Sequence, residues 1–248
     1  VWFYRNTAAT GHHFELTSKT LFVDDMIDLG TAAHPVVADV NGDGLPDLVV
    51  GNNGYFVPFN PGNSNNGSLY LFRNIGSPTE PRFELVDDDW LGMSQYAPDD
   101  FDFAPAFGDI DSDGDLDLLI GNYGGWLYCF RNTAGPNNPM TFQQDFNPMW
   151  VSMDVGSSST PVVFDLDGDG FKDILMGEYQ GNVNFFKNTG TPSQPVFANQ
   201  PTISKIGGID TELITNGVGY SAPAILPTID GPMLVVGGVN GALEAYLN

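Results

Sequence analysis

Three nine-residue stretches hold most of the side chains in this chain that could do chemistry. They read Asp39-Val40-Asn41-Gly42-Asp43-Gly44-Leu45-Pro46-Asp47, Asp109-Ile110-Asp111-Ser112-Asp113-Gly114-Asp115-Leu116-Asp117 and Asp165-Leu166-Asp167-Gly168-Asp169-Gly170-Phe171-Lys172-Asp173. The shared pattern is D-x-[DN]-x-D-G-x-x-D. Side-chain oxygens stand at positions 1, 3, 5 and 9, and a glycine at position 6 lets the backbone turn sharply. A hard cation such as Ca²⁺ takes about six to eight oxygens, and alternate residues of a tight loop can aim at one centre. The expected ligands are therefore Asp39, Asn41, Asp43 and Asp47; Asp109, Asp111, Asp113 and Asp117; and Asp165, Asp167, Asp169 and Asp173. The backbone carbonyls of Leu45, Asp115 and Phe171 complete three expected Ca²⁺ sites. Without a cation, carboxylates this close repel one another.

The elements around the loops are strands. An EF-hand would need a Glu at position 12 and flanking helices. Position 12 is Val50, Ile120 or Met176, inside runs such as Leu118-Leu119-Ile120. Each loop thus joins two β segments. A second recurring feature is an aromatic, basic, Asn ending: Tyr4-Arg5-Asn6, Phe72-Arg73-Asn74, Phe130-Arg131-Asn132 and Phe186-Lys187-Asn188, with Tyr246-Leu247-Asn248 as a weaker copy. The five Asn are 68, 58, 56 and 60 residues apart. A period near 60 with four short strands per repeat predicts an all-β chain of β-propeller blades. We label the strands of a repeat A, B, C and D. The cation loop joins A to B, a Gly-rich turn joins B to C, and D begins at Phe14, Phe83, Phe142 and Phe197.

With four repeats and an extra strand, one domain over 1–248 is expected. It divides into a partial blade 1–34, blades 35–104, 105–160 and 161–222, and a partial blade 223–248. The unmatched end strands point to part of a larger propeller, or to ends that pair with another copy. On these motifs the chain resembles the FG-GAP/VCBS repeat family, whose best-known members are the heads of integrin α-subunits, and secreted VCBS-type repeats in particular. The resemblance implies Ca²⁺ at the three loops and an extracellular setting, on a cell surface or secreted. It implies no catalytic residue, and the chain is expected not to be an enzyme.

Departures from the repeat are informative. The fourth A–B turn, Pro227-Thr228-Ile229-Asp230-Gly231-Pro232, lacks the ligand set, so a plain turn without metal is expected there. From the Gly ending B to the Asn ending C there are 11 residues in three repeats but 23 between Gly51 and Asn74. The extra stretch carries Tyr55, Phe56 and Phe59. It shares a face with the link 88–103, which holds Trp90, Tyr96, Phe101 and Phe103. Tyr55, Phe56, Phe59, Trp90 and Tyr96 are the candidate ligand surface; the alternative is a loop folded down to cap the blade.

Composition limits the partners. A net charge of −23 with eight Lys plus Arg offers nucleic acid no basic footprint. No apolar stretch is long enough to span a membrane. Cys129 reads as an apolar filler, and the histidines lack the cluster that zinc requires. The expected role is adhesion or structural assembly, through a protein or glycan of a surface or matrix or through other copies of the chain. The alternative is a lectin-like propeller or an accessory domain of a polysaccharide-degrading enzyme.

Overall fold

The computed structural model describes residues 3–8, 10–11, 13–18, 29–54, 67–98, 100–212, 217–229, 231–239 and 241–247. Tyr55, Phe56 and Phe59 lie outside them. Among the described residues the sheets are all antiparallel, and no helix is long and apolar enough to cross a membrane.

The strands form consecutive up-and-down sheets. β1 (Phe3–Asn6) pairs with β2 (Phe14–Ser18). Next come β3 (His34–Ala38), β4 (Asp47–Gly51), β5 (Leu69–Asn74) and β6 (Phe83–Asp87) in one four-stranded sheet. A second follows: β7 (Ala104–Gly108), β8 (Asp117–Gly121), β9 (Leu127–Asn132) and β10 (Phe142–Gln144). Two three-stranded sheets complete the order. One holds β11 (Thr160–Phe164), β12 (Asp173–Gly177) and β13 (Val183–Phe186), the other β14 (Ala222–Thr228), β15 (Gly231–Gly237) and β16 (Leu243–Leu247). These are the blades of a β-propeller. The strand expected from Phe197 does not form. Phe197 is buried against Trp150 instead, and the edge of β13 is met by a single bridge from Ile203 to Phe185. The Phe197 amide donates to Met149 Sδ at 3.2 Å rather than to a strand partner.

The central strands are apolar throughout because the sheets bury both faces. In β8 and β9, Leu119 and Cys129 pack with Ile174, Met176 and Phe186 of the following sheet. Leu118, Ile120 and Phe130 turn the other way, toward Val49 and Leu71 of the preceding one. Cys129 is a buried free thiol in this layer. Trp90, from the link after β6, lies in the other layer, between the β3–β6 and β7–β10 sheets, edge-on to Phe142 at 5.7 Å. It is 8% exposed, so it supplies no ring to a ligand surface, contrary to the sequence-based expectation. The reason is geometric. The link must return across the gap between two sheets, and its largest side chain fills that gap.

The sheets are locked together by a repeated junction. The amides of Phe103, Ser159 and Ser221 donate to the carbonyls of Asn52, Asn122 and Glu178, at 3.0, 3.0 and 3.1 Å. The approach requires glycine at the end of the second strand of each sheet. A Cβ on Gly51, Gly121 or Gly177 would meet the Phe103, Ser159 or Ser221 carbonyl oxygen at 2.0, 1.9 or 2.1 Å.

Candidate metal centre

The three Asp-rich loops connect β3 to β4, β7 to β8 and β11 to β12. All are built on one hydrogen-bond scheme. The position-1 carboxylate folds the loop over itself: Asp39 accepts from the amides of Gly42, Asp43 and Gly44, Asp109 from Asp113 and Gly114, and Asp165 from Gly168 and Gly170. The position-5 carboxylate holds the next turn. Asp43, Asp113 and Asp169 accept from the amides of Leu45, Asp115 and Phe171 at 2.8, 3.1 and 2.9 Å.

The position-9 residue does a different job. Asp47, Asp117 and Asp173 are buried at the first residue of β4, β8 and β12. Each accepts one amide from its own loop (Val40, Ile110, Leu166) and one from an Asn at the end of the third strand of its sheet or two residues beyond it (Asn74, Asn132, Asn188). These carboxylates tie the loop to the far strand. Sequence reasoning had given them only a ligand role. Burial pushes the Asp117 carboxyl up to about 6, against the pull of the Asn132 amide and Arg131. Burial likewise raises Asp47, Asp111, Asp115 and Asp173.

Two of the loops bring carboxylate oxygens together. Oxygens of Asp109, Asp111 and Asp113 lie within 4.8 Å of one another, as do those of Asp165, Asp167 and Asp173. In the second loop Oδ1 of Asp111 and Oδ1 of Asp115 are buried without a hydrogen-bond partner. Asp115 is 6% exposed, and its other oxygen accepts from the Gly135 amide at 2.8 Å. Buried acceptors left unpaired beside like charges are costly, and a cation relieves both faults. The donor set is all oxygen, which suits Ca²⁺ or Mg²⁺ rather than a softer metal. In the first loop Asn41 stands at position 3 and its amide donates to Asp43 Oδ2 at 2.9 Å. The residues fit the ion. When bound it would neutralise each loop and draw the carboxylates to one centre. The fourth turn closes directly, Thr228 pairing with Gly231.

The other face is built from the links before the first strands and the turns after the second. Of the candidate ligand surface, Tyr96 is exposed, its ring edge-on to Tyr128 at 5.6 Å. Phe101 stacks on Tyr123 at 4.4 Å. Phe101, Tyr123, Trp126 and Tyr128, the last donating a hydrogen bond to Asp100, border a hollow of about 340 Å³. Nearer the axis, Ala32, Asp102, Ser158 and Tyr220 all have positive φ, between 45° and 62°. Each stands three residues before the Pro of its first strand. They line a second hollow of about 260 Å³ with His34 and Asn53. The recurring Pro was visible in the sequence; the left-handed residue before it was not singled out.

An all-β propeller with Asp-rich loops between the first two strands of its blades is the architecture of FG-GAP repeats. The model of the FG-GAP-like repeat matches residues 109–176, and that of the FG-GAP repeat matches residues 32–72. The two matches support an FG-GAP, integrin-alpha-like family. It is similar to integrin alpha-4 of Xenopus laevis, 29% identical over 150 residues, which cover 57% of this chain and 14% of that protein. The match thus spans about one seventh of the relative's length.

Proposed function

We propose that this chain is an extracellular, non-enzymatic adhesion or assembly module, a propeller whose blades are pinned by Ca²⁺ at three loops. The metal reading is carried by the second loop, where two buried carboxylate oxygens lack a partner within a cluster of five aspartates. The ligands would be Asp39, Asn41, Asp43, Asp47 and the Leu45 carbonyl; Asp109, Asp111, Asp113, Asp117 and the Asp115 carbonyl; and Asp165, Asp167, Asp169, Asp173 and the Phe171 carbonyl. The blade boundaries proposed are 35–104, 105–160 and 161–222, with partial blades at 1–34 and 223–248. Likeness to part of an integrin alpha subunit supports a protein partner at a cell surface, contacted on the face away from the loops. Thermal melts in excess Ca²⁺ and in excess chelator test the metal. A large drop in melting temperature on chelation is expected, because an ion that binds only the folded state stabilises it by mass action. An unchanged melt would overturn the reading.

A second reading, glycan binding, is favoured by the hollow at Asp100, Phe101, Tyr123, Trp126 and Tyr128. Aromatic walls with a carboxylate acceptor suit a sugar ring, and Tyr123 is 47% exposed. Glycan-array binding that disappears in Tyr123→Ala would favour it over a protein partner.

A further inference from the structure

The basic residue one before the recurring Asn (Arg73, Arg131, Lys187) meets the loops in three different ways. In the third loop, Lys187 Nζ pairs with Asp167 Oδ2 and lies 2.7 Å from Asp169 Oδ2. The partner oxygens, Asp167 Oδ1 and Asp169 Oδ1, already accept loop amides from Asp169 and Phe171. The two Oδ2 atoms are therefore the ones left for an ion, and the lysine ammonium sits on both. In the second loop, Arg131 Nη1 lies 3.3 Å from Asp111 Oδ2 and 3.1 Å from Asp117 Oδ2. That guanidinium is also held from outside, 5.7 Å over the Trp150 ring and 3.6 Å from Asp145, which itself accepts from the Trp150 indole. In the β3–β6 sheet Arg73 is exposed, and among the described residues no ion pair joins it to the 39–47 loop.

We infer that Lys187 is a resident counter-cation of the 165–173 loop, displaced into solvent when Ca²⁺ enters, and that it sets the affinity of that site. The inference rests on the metal reading above. Lysine suits the task, being a point charge on a flexible stem, here a third exposed. Its two contacts are the carboxylates themselves, so the leaving ammonium strands no other group. Ca²⁺ and the ammonium cannot share the two oxygens, so the free energy of expelling one is subtracted from the binding of the other. Arg131 differs. Trp150 and Asp145 keep it in place whether or not the second loop is filled, so it tunes its loop without leaving it. The basic residue thus grades three loops of similar sequence: one with no resident charge, one with a fixed charge and one with an exchangeable charge.

The test is a calorimetric Ca²⁺ titration of the chain beside Lys187→Met and Lys172→Met. Lys172 lies in the same loop and makes no ion pair among the described residues, so it reports the general effect of losing one positive charge. Lys187→Met is expected to tighten one of the bound ions by about five- to tenfold, the scale of two partly exposed ion pairs, and Lys172→Met by less than about twofold. Melts supply a second readout: Lys187→Met should lower the melting temperature in chelator and match the parent in saturating Ca²⁺, because a displaced lysine contributes nothing once the ion is bound. A lysine with a purely structural role would lower both. Equal affinities for the two variants, or a weaker ion in Lys187→Met, would overturn the inference while leaving the metal sites standing. A parent chain that takes up no Ca²⁺ would overturn both.

Discussion

Gly121 ends β8 so close to Ser159 that a Cβ added there would stand 1.9 Å from the Ser159 carbonyl oxygen. The same contact joins Gly51 to Phe103 and Gly177 to Ser221. It marks where one blade grips the next. Gly121→Ala must push the sheets apart, and overpacking of this kind costs about 1–3 kcal/mol or more. Gly237 ends β15 at the equivalent place, where an added Cβ meets nothing nearer than 3.6 Å. Urea denaturation should show a lower midpoint for Gly121→Ala and little change for Gly237→Ala. Equal midpoints would mean the close approach does not matter.

Asp113 and Asp117 belong to one motif but should fail differently. Asp113 is exposed, and its removal takes charge from the metal loop. Asp117 is buried and accepts the Ile110 and Asn132 amides and Arg131. Asp117→Ala leaves those donors unpaired, at about 3–5 kcal/mol. Denaturation in chelator should separate them: Asp117→Ala well below the parent, Asp113→Ala near it. In Ca²⁺ both should fall.

Trp90 should behave as a core residue. Trp90→Ala opens a cavity between β5, β7 and β10, for which about 3–5 kcal/mol of stability is the expected loss. Partner or glycan binding by the variant, measured below its melting temperature, should match the parent. Binding lost from a folded variant would restore Trp90 to the surface.

Asp102 carries an acid dependence. Burial opposes its charge, but hydrogen bonding and charge from His34, with help from Ser158 and Asn53, outweigh burial and hold the carboxyl below the ordinary value of 3.8. A carboxyl lowered in the folded state stabilises at pH above its unfolded value, and that stability is lost as pH falls through the folded one. Denaturation midpoints in chelator, taken from pH 6 down to pH 2, should fall less steeply below pH 4 in Asp102→Asn than in the parent. Parallel curves would show that Asp102 does not contribute.

The order of strands, the repeat and the three loops were legible because each rests on local chemistry. A Gly at position 6 and Asp at alternate positions make a loop whatever surrounds it, and the doubly apolar β8 and β12 demand sheets on both sides. Phe197 misled because the same Phe begins β6 and β10. Whether such a Phe opens a strand depends on where its amide finds an acceptor, and for Phe197 that acceptor is Met149 Sδ, 48 residues away. Tyr55, Phe56 and Phe59 fall outside the described residues, so the inserted stretch keeps only its sequence reading.

The sequence by itself determined the fold class and which oxygens can meet within a loop, since both follow from neighbours a few residues apart. Only the tertiary structure decided that Asp117 braces β9, that Trp90 is buried between sheets, and that Lys187 lies on the free oxygens of Asp167 and Asp169. Those outcomes depend on segments brought together across 14 or more residues, where packing and charge, not local pattern, choose the partner.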